Sequence, residues 1–132
     1  MKLITRDTDY AVRALAFLAK NKERIVSVAE LVKELKIPRP FLRKILQILN
    51  QEGIVVSHKG LGGGFSLARP AQEIRLLDLV KVFQGGLKIN ECLFKKKICP
   101  QVRVCPLKKK IDEIEDFAAR KLNTINIGVL AK

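Results

Sequence analysis

The chain of 132 residues is long enough for one compact domain, and it carries 26 Lys and Arg against 13 Asp and Glu, a formal net charge of +13. This excess points to a polyanionic partner, and DNA or RNA is the commonest one. No stretch approaches the roughly twenty apolar residues of a membrane span, and the chain start lacks the apolar run of a signal peptide. We therefore expect a cytoplasmic protein with no membrane partner.

Two helices are predicted in the first part of the chain. Residues 7–20 combine helix-favouring Ala and Leu with apolar side chains at helical spacing. Ser27 and Glu30 have the spacing of a capping box, which predicts a short helix over 28–36. Pro38 ends this helix because a residue that precedes proline disfavours the helical conformation.

A third helix follows after a tight turn, with Pro40 in its first turn and Gly53 at its end. Its apolar face consists of Leu42, Ile45, Leu46 and Leu49. The opposite face is polar, and it consists of Arg39, Arg43, Gln47 and Asn50.

Two β-prone segments, Ile54–Ser57 and Phe65–Ala68, are separated by glycines and predict a hairpin. A helix over 75–86 follows. From Leu107 a long helix is predicted, whose near-heptad apolar positions exceed what one small domain can bury. We expect these positions to form a dimer contact: Ile111, Ile114, Ala118, Leu122, Ile125 and Val129.

Two short helices joined by a tight turn and followed by a hairpin predict a winged helix-turn-helix, so the expected fold is mainly α with a small β-hairpin wing. A helix that enters the major groove needs side chains that bond base edges, and Arg43, Gln47 and Asn50 are of that kind. The alternatives are a merely solvated helix face and an ordinary glycine hairpin. The predicted DNA-binding residues are Arg39, Pro40, Arg43, Lys44, Gln47, Asn50, His58 and Lys59.

Enzyme signatures are missing from the sequence. The glycines before Phe65 lack the GK[ST] ending of a phosphate-binding loop and precede a strand rather than a helix. The single histidine, His58, lies in the hairpin, and no CxxC pair exists for dithiol chemistry. We therefore expect a binding protein rather than an enzyme.

All three cysteines lie in one segment rich in lysine, with the spacing C-x6-C-x5-C: Cys92, Cys99 and Cys105. Neighbouring positive charge favours thiolates, which suits metal ligation and redox sensing alike. The close cysteine pairs of zinc sites are absent. An iron–sulfur cluster, a thiol switch and a zinc site remain open on the residues alone.

The sequence resembles the Rrf-type winged-helix regulators of bacteria, the family of IscR and NsrR. The resemblance spans the whole chain and is carried by "MKLITRDTDYAVRAL", by "VSVAELVKELKIPRPFLRKILQILNQEGIV", by the wing "GGGFSLARP" and by the clustered cysteines. It implies a homodimer that binds a two-fold DNA operator. Many members of the family are transcription repressors, and some also activate. The expected organisation is a DNA-binding domain over 1–86, a cysteine loop over 87–106 and a dimerisation helix over 107–132.

The resemblance also implies an iron–sulfur cluster, 2Fe–2S or 4Fe–4S, on the three cysteines. Lys108 stands where relatives with a 2Fe–2S cluster often carry a histidine, so the fourth ligand would have to be another residue, a small thiol or water. NsrR-like members use an aspartate of the first helix from the other subunit, and Asp9 matches it, whereas Asp7 and Glu91 are weaker competitors. Asp9 also fits a plain role at a helix start. The alternative function is a cluster-free regulator that responds to thiols or a metabolite.

Overall fold

The computed structural model describes residues 3–87 and 106–131. Within these ranges the chain forms six α-helices, a two-stranded sheet and one short 3-10 helix at Ala71–Glu73. In chain order these elements are α1 (Arg6–Lys20), α2 (Val28–Leu35), α3 (Arg39–Gln51), β1 (Val55–His58), β2 (Gly64–Leu67), α4 (Leu76–Gln84), α5 (Pro106–Asn123) and α6 (Ile127–Leu130). The expected mainly α fold with a hairpin wing is confirmed.

A tight turn joins α2 and α3, as the sequence predicts, although α2 ends one residue earlier than predicted. Lys36 ends α2 in the left-handed conformation, with φ of 56°, and its N–H donates to the carbonyl of Val32. Pro38 precedes α3 and Pro40 lies in its first turn. The N–H groups of a first turn have no acceptor within the helix, so proline costs no hydrogen bond there. Three residues therefore join the two helices of the helix-turn-helix.

Only one half of the predicted capping box forms at the start of α2. The Ser27 hydroxyl accepts a hydrogen bond from the Glu30 N–H at 3.1 Å. The Glu30 carboxylate does not return to Ser27, because the Arg24 guanidinium binds it, with Nη1 2.7 Å from Oε1. This hydrogen bond lowers the pKa of Glu30 and raises that of Arg24.

One apolar core unites the helix-turn-helix, the hairpin and the C-terminal end of the chain. The apolar face of α3 is buried as predicted, and α1 contributes small and branched side chains that let the helices approach closely. Tyr10 and Phe17 pack at the rim of the core. The fully buried large side chains are Leu15, Leu18, Val26, Leu31, Leu42, Ile45, Leu46, Leu49, Val55, Ile74, Leu79 and Ile127.

The strands of the wing are antiparallel, and each lies one residue from its predicted position, toward the glycine turn. Val55 pairs with Leu67, and His58 pairs with Gly64. Phe65 also exchanges two backbone hydrogen bonds with Val26, at 3.0 Å and 2.8 Å. The wing is therefore tied to the segment that leads into α2.

The sequence predicts one long C-terminal helix from Leu107, and this prediction is wrong about where the helix ends. Helix α5 stops at Asn123, and a turn leads into α6. Asn, Thr and Ile at 123–126 favour helices weakly, and Asn126 caps α6 by accepting from the Val129 N–H at 2.9 Å. The return buries Ile127 fully, which a straight continuation could not do.

Backbone hydrogen bonds fasten this C-terminal return to the segment that leads into α4. The Leu76 N–H donates to Ile125 at 2.8 Å, and the Ile127 N–H donates to Ile74 at 2.9 Å. A second, smaller apolar cluster of Val80, Leu87 and Leu122 joins α4 to α5. Helix α5 is thus held against the domain at its C-terminal end.

A polar contact fixes the start of the chain to the end of α4. The buried Thr8 hydroxyl donates to Gln84 Oε1 at 2.7 Å, and the Thr5 N–H donates to the same oxygen at 3.0 Å. Gln84 in turn donates to the Leu3 carbonyl at 3.2 Å. Among the described helices, none is both long and apolar enough to cross a bilayer.

Candidate nucleic-acid interface

The outward face of α3 carries the four polar residues that its apolar spacing predicts. Arg39, Arg43, Gln47 and Asn50 are all exposed, whereas the intervening leucines and isoleucine point into the core. Because the opposite face of the helix is buried, this exposed face has a fixed direction. The side chains form one row along the helix.

The wing stands beside this row and closes a groove of about 540 Å³ between the two. The first turn of α2, at Val28 and Ala29, forms the third wall. Six of the eight predicted DNA-binding residues line this groove: Arg39, Arg43, Gln47, Asn50, His58 and Lys59. Residues 47 and 59 come together only because the hairpin folds back along the helix.

The electrostatics of the groove are one-sided. Arg39, Arg43 and Lys59 contribute three cations, and no carboxylate is among the described residues that line it. A groove of one charge sign focuses the potential and attracts an anion of opposite sign. The lining also includes amide and imidazole side chains, which can form hydrogen bonds to a polyanion that carries donors and acceptors of its own.

His58 is held inside the hairpin rather than directed freely outward. Its Nε2 lies 2.8 Å from the Ser66 hydroxyl of β2, and the residue is half-buried. This bond braces the two strands near the turn. Lys59, the next residue, is exposed.

Pro40 and Lys44 lie outside the groove. Pro40 occupies the first turn of α3, and the Lys44 ammonium lies 4.0 Å from Asp7 at the start of α1. The neighbouring Arg6 guanidinium stacks 4.5 Å above the ring of Phe41. Helix α1 therefore contacts the side of α3, an interaction that was not predicted from the sequence.

The wing glycines are needed by the fold itself. A Cβ on Gly64 would lie 2.1 Å from the Val26 carbonyl oxygen, and one on Gly63 would lie 2.4 Å from that of His58. Gly60 and Gly62 have φ of 93° and 73°. The sequence predicted a turn here but could not reveal these contacts.

Cys92, Cys99 and Cys105 lie outside the described residues, as does Glu91. In the described ranges no three His, Cys, Asp or Glu side chains come together as a metal site. Asp9 lies in the first turn of α1 and is paired with Arg13, with Oδ2 3.0 Å from Nε. The side chain of Asp9 is 45% exposed, so its carboxylate is accessible. Three thiolates and an accessible carboxylate are a donor set that suits an iron–sulfur cluster.

The predicted dimer positions divide into two groups. Ile114 and Val129 are exposed, and Ile111 and Ala118 are half-buried. The prediction that Leu122 lies in the dimer contact is wrong, because this side chain is only 7% exposed and packs against α4 of its own chain. Ile125 lies in the turn after α5, so it is not part of the same helical face.

Two further apolar side chains of α5 are exposed, Leu107 and Phe117, at 67% and 65%. Together with Ile111 and Ile114 they form a stripe along one side of the helix, which we call the α5 stripe. Ala118, by contrast, packs against the cluster of Val80, Leu87 and Leu122 in its own chain. Phe117 was missed because it departs from the near-heptad spacing. Its three-residue distance from Ile114 was the available signal.

Residues 4–132 match the model of the Rrf2 family, which is described as iron-dependent transcriptional regulators. An HTH-type transcriptional regulator of Aquifex aeolicus is 40% identical over 114 residues, which cover 82% of this chain and 79% of the relative.

Two solved structures share the fold. CymR, the global cysteine regulator of B. subtilis, is 22% identical with a TM-score of 0.83, covering 99% of this chain and 97% of its own. IscR of T. potens is 23% identical with a TM-score of 0.75, covering 97% of this chain and 84% of its own.

Proposed function

Because the chain belongs to the Rrf2 family of DNA-binding transcriptional regulators, we propose that it binds duplex DNA with α3 in the major groove and the wing beside it. One observation carries this proposal: the fold assembles the polar face of α3 and Lys59 into a single cationic groove. We propose that the protein acts in the cytoplasm as a repressor, since a protein seated on an operator blocks access to it. No enzymatic activity is expected of a regulator of this family.

The groove residues would divide between reading and holding the DNA. Arg43 can form two bonds to guanine, and Gln47 and Asn50 can form two to adenine. Arg39, at the helix start, and Lys59, on the wing, would contact phosphates on either side. Lys44 would add a phosphate contact only after leaving Asp7, 4.0 Å away.

The experiment compares Arg43→Ala with Arg120→Ala on duplexes selected from a random library by the wild type. Arg120 is exposed on α5, outside the groove, so its loss changes net charge equally. Arg43→Ala should weaken binding by about 1–3 kcal/mol and relax preference at one base pair. Equal binding by the two variants would refute the docking.

We propose that the regulator is a homodimer whose α5 stripe packs against the stripe of a second copy. An isolated small domain rarely leaves so contiguous an apolar face in water. Ile114 and Phe117 are central in the stripe and exposed, and neither belongs to an apolar cluster of the described residues. A two-fold dimer would present two copies of α3 to a two-fold operator.

Light scattering at micromolar concentration tests the dimer. Phe117→Asp should give monomers, because a charge would be buried in an apolar contact. The matched control is Asp116→Ala, a change at the adjacent exposed position, which should leave dimers intact. Dimeric Phe117→Asp would remove the stripe from the interface.

We further propose that the protein senses redox state, nitric oxide or iron–sulfur status through a cluster on Cys92, Cys99 and Cys105. Such a cluster would supply a reversible, oxidation-sensitive charge and a cross-link among its ligands. Asp9 is the proposed fourth ligand from the other subunit, and it would have to exchange its Arg13 partner for iron. That exchange would tie α1, which packs against α3, to the state of the cysteine segment.

A second candidate is a thiol-responsive regulator without a cluster. It is supported by the fold shared with CymR, the global cysteine regulator of B. subtilis. Anaerobic purification with iron and sulfide analysis and a visible spectrum separates the two. A colourless protein without iron would favour the thiol switch.

The fourth ligand has its own test. Asp9→Ala should leave a cluster with an altered spectrum or a shorter lifetime, whereas Glu34→Ala, another acid change on an exposed helix face, should leave both unchanged. An Asp9→Ala protein with the spectrum, lifetime and DNA response of the wild type would exclude Asp9.

A further inference from the structure

The tip of the wing carries a leucine that nothing in the described chain covers. Leu61 is 108% exposed, whereas the other exposed large apolar residues range from 39% to 67%. Burial of an apolar side chain is favourable, so a leucine held entirely in water gains only if a partner covers it.

The turn fixes Leu61 at the apex. The Gly63 N–H donates to the Gly60 carbonyl at 3.0 Å, and Gly62, with φ of 73°, occupies the third position of that turn. This is the geometry of a type II turn with Leu61 as its second residue, where the side chain projects outward. Because Gly63 is closely surrounded by backbone, the apex is anchored to the strands.

The surroundings indicate what covers this side chain. Lys59 and Gly60 of the wing line the cationic groove with α3, so the tip extends from the wall that would meet DNA. The same tip of a second copy is disfavoured there, since each tip lies beside the cations of its own groove and these would repel each other. DNA provides the required combination, phosphates for the cations and apolar sugar edges between them.

We propose that Leu61 inserts into the minor groove next to the bases read by α3 and selects A·T pairs there. This inference rests on the proposed docking of α3 and the wing. The guanine amino group projects into the minor groove and would meet an apolar side chain that cannot accept its hydrogen bond. Apolar wedges also favour steps that unstack easily, such as TA.

The test selects duplexes from a random library with wild type, Leu61→Ser, Leu61→Met and Arg43→Ala. Wild type and Leu61→Met should enrich A·T pairs at a position flanking the major-groove site. Leu61→Ser should lose that enrichment but keep the major-groove preference, with about ten-fold weaker binding to the wild-type duplex. Arg43→Ala should keep the enrichment of A·T pairs at the flanking position but lose part of the major-groove preference.

Inosine·cytosine at the flanking position identifies the groove that is read, since it lacks the guanine amino group. It should bind wild type as A·T does, and G·C should bind less well. Unchanged selection and affinity for Leu61→Ser, with an unchanged melting temperature, would overturn the inference alone. A wild type that enriches no sequence would overturn the docking as well.

Discussion

Gly64 lies where the wing meets the segment before α2, with its Cα directed at the Val26 carbonyl. An added Cβ would approach that oxygen to 2.1 Å, and the neighbouring atoms are backbone that cannot move aside easily. Backbone packing therefore requires glycine at position 64, whether or not DNA is bound.

We expect Gly64→Ala to destabilise the protein by about 1–3 kcal/mol, because the wing must shift to make room. Gly53→Ala is the control, since Gly53 also has positive φ, 74°, but has open space around its Cβ position. Its cost should be limited to about 1 kcal/mol of backbone strain. Urea unfolding measures both, and equal costs would show that the close approach is unimportant.

The ion pair between Glu30 and Arg24 makes stability depend on pH. The Arg24 hydrogen bond lowers the pKa of Glu30 from its ordinary value of 4.5. The contribution of the pair is therefore complete above pH 4.5 and declines as the pH falls through the lower, folded-state pKa.

We expect Glu30→Gln to lose less stability than the wild type when the pH is lowered from 7 to 3. Thermal melts at both pH values measure the difference, and Glu34→Gln on the same helix is the control. Because the pair is exposed at the surface, the effect should be small. If Glu30→Gln lost as much stability between pH 7 and pH 3 as the wild type does, the Glu30–Arg24 pair would not be the cause of the pH dependence.

Helix α6 is short, yet it contributes one of the buried side chains of the main core. Ile127 is fully buried, while Val129, two residues later, is 56% exposed. The element is held by this side chain and by the Ile127 hydrogen bond to Ile74. It closes the main core from the C-terminal end of the chain.

We expect Ile127→Ala to cost about 2–5 kcal/mol of unfolding free energy, as for a large side chain removed from a packed core. Val129→Ala should cost under about 0.5 kcal/mol at its exposed position. Denaturant unfolding of the two variants measures this, and similar midpoints would mean that α6 does not pack as described.

The elements differ in how far the sequence could determine them. The apolar spacing of α3 fixes its buried face locally, and so its polar face follows without any long-range contact. The end of α5 was not predictable in this way, since Ile125 and Val129 continue the spacing of a helix. Only the distant core around Ile74 makes burial of Ile127 more favourable than a longer helix.

The same distinction applies to the candidate site. Arg39, Arg43, Gln47 and Asn50 share a face because of helical geometry. Their meeting with the wing depends on the pairing of Val26 with Phe65, a contact between segments far apart in the chain. The hydrogen bond between His58 and Ser66 depends on the register of the two strands, which the sequence does not determine. Sequence alone therefore predicts His58 as a DNA contact.

At the scale of the whole molecule, charge and symmetry together set how binding depends on salt. Three cations line each groove, and a dimer would present two grooves. Arg39 and Lys59 of each groove are the cations assigned to phosphates, so a dimer neutralises about four. The slope of log affinity against log salt is then about −3.6, roughly a 10²-fold loss between 50 and 200 mM salt. The remaining basic side chains raise the general potential without releasing counterions from specific phosphates.

We therefore expect Lys59→Ala to make this slope shallower by about 2, since a dimer loses two phosphate contacts. Arg120→Ala removes the same charge outside the groove and should leave the slope unchanged. Monomeric Phe117→Asp should show about half the wild-type slope, because only one groove engages the duplex. Binding titrations at several salt concentrations give all three values. If Lys59→Ala and Arg120→Ala shift the slope equally, net charge rather than the groove determines the attraction to DNA.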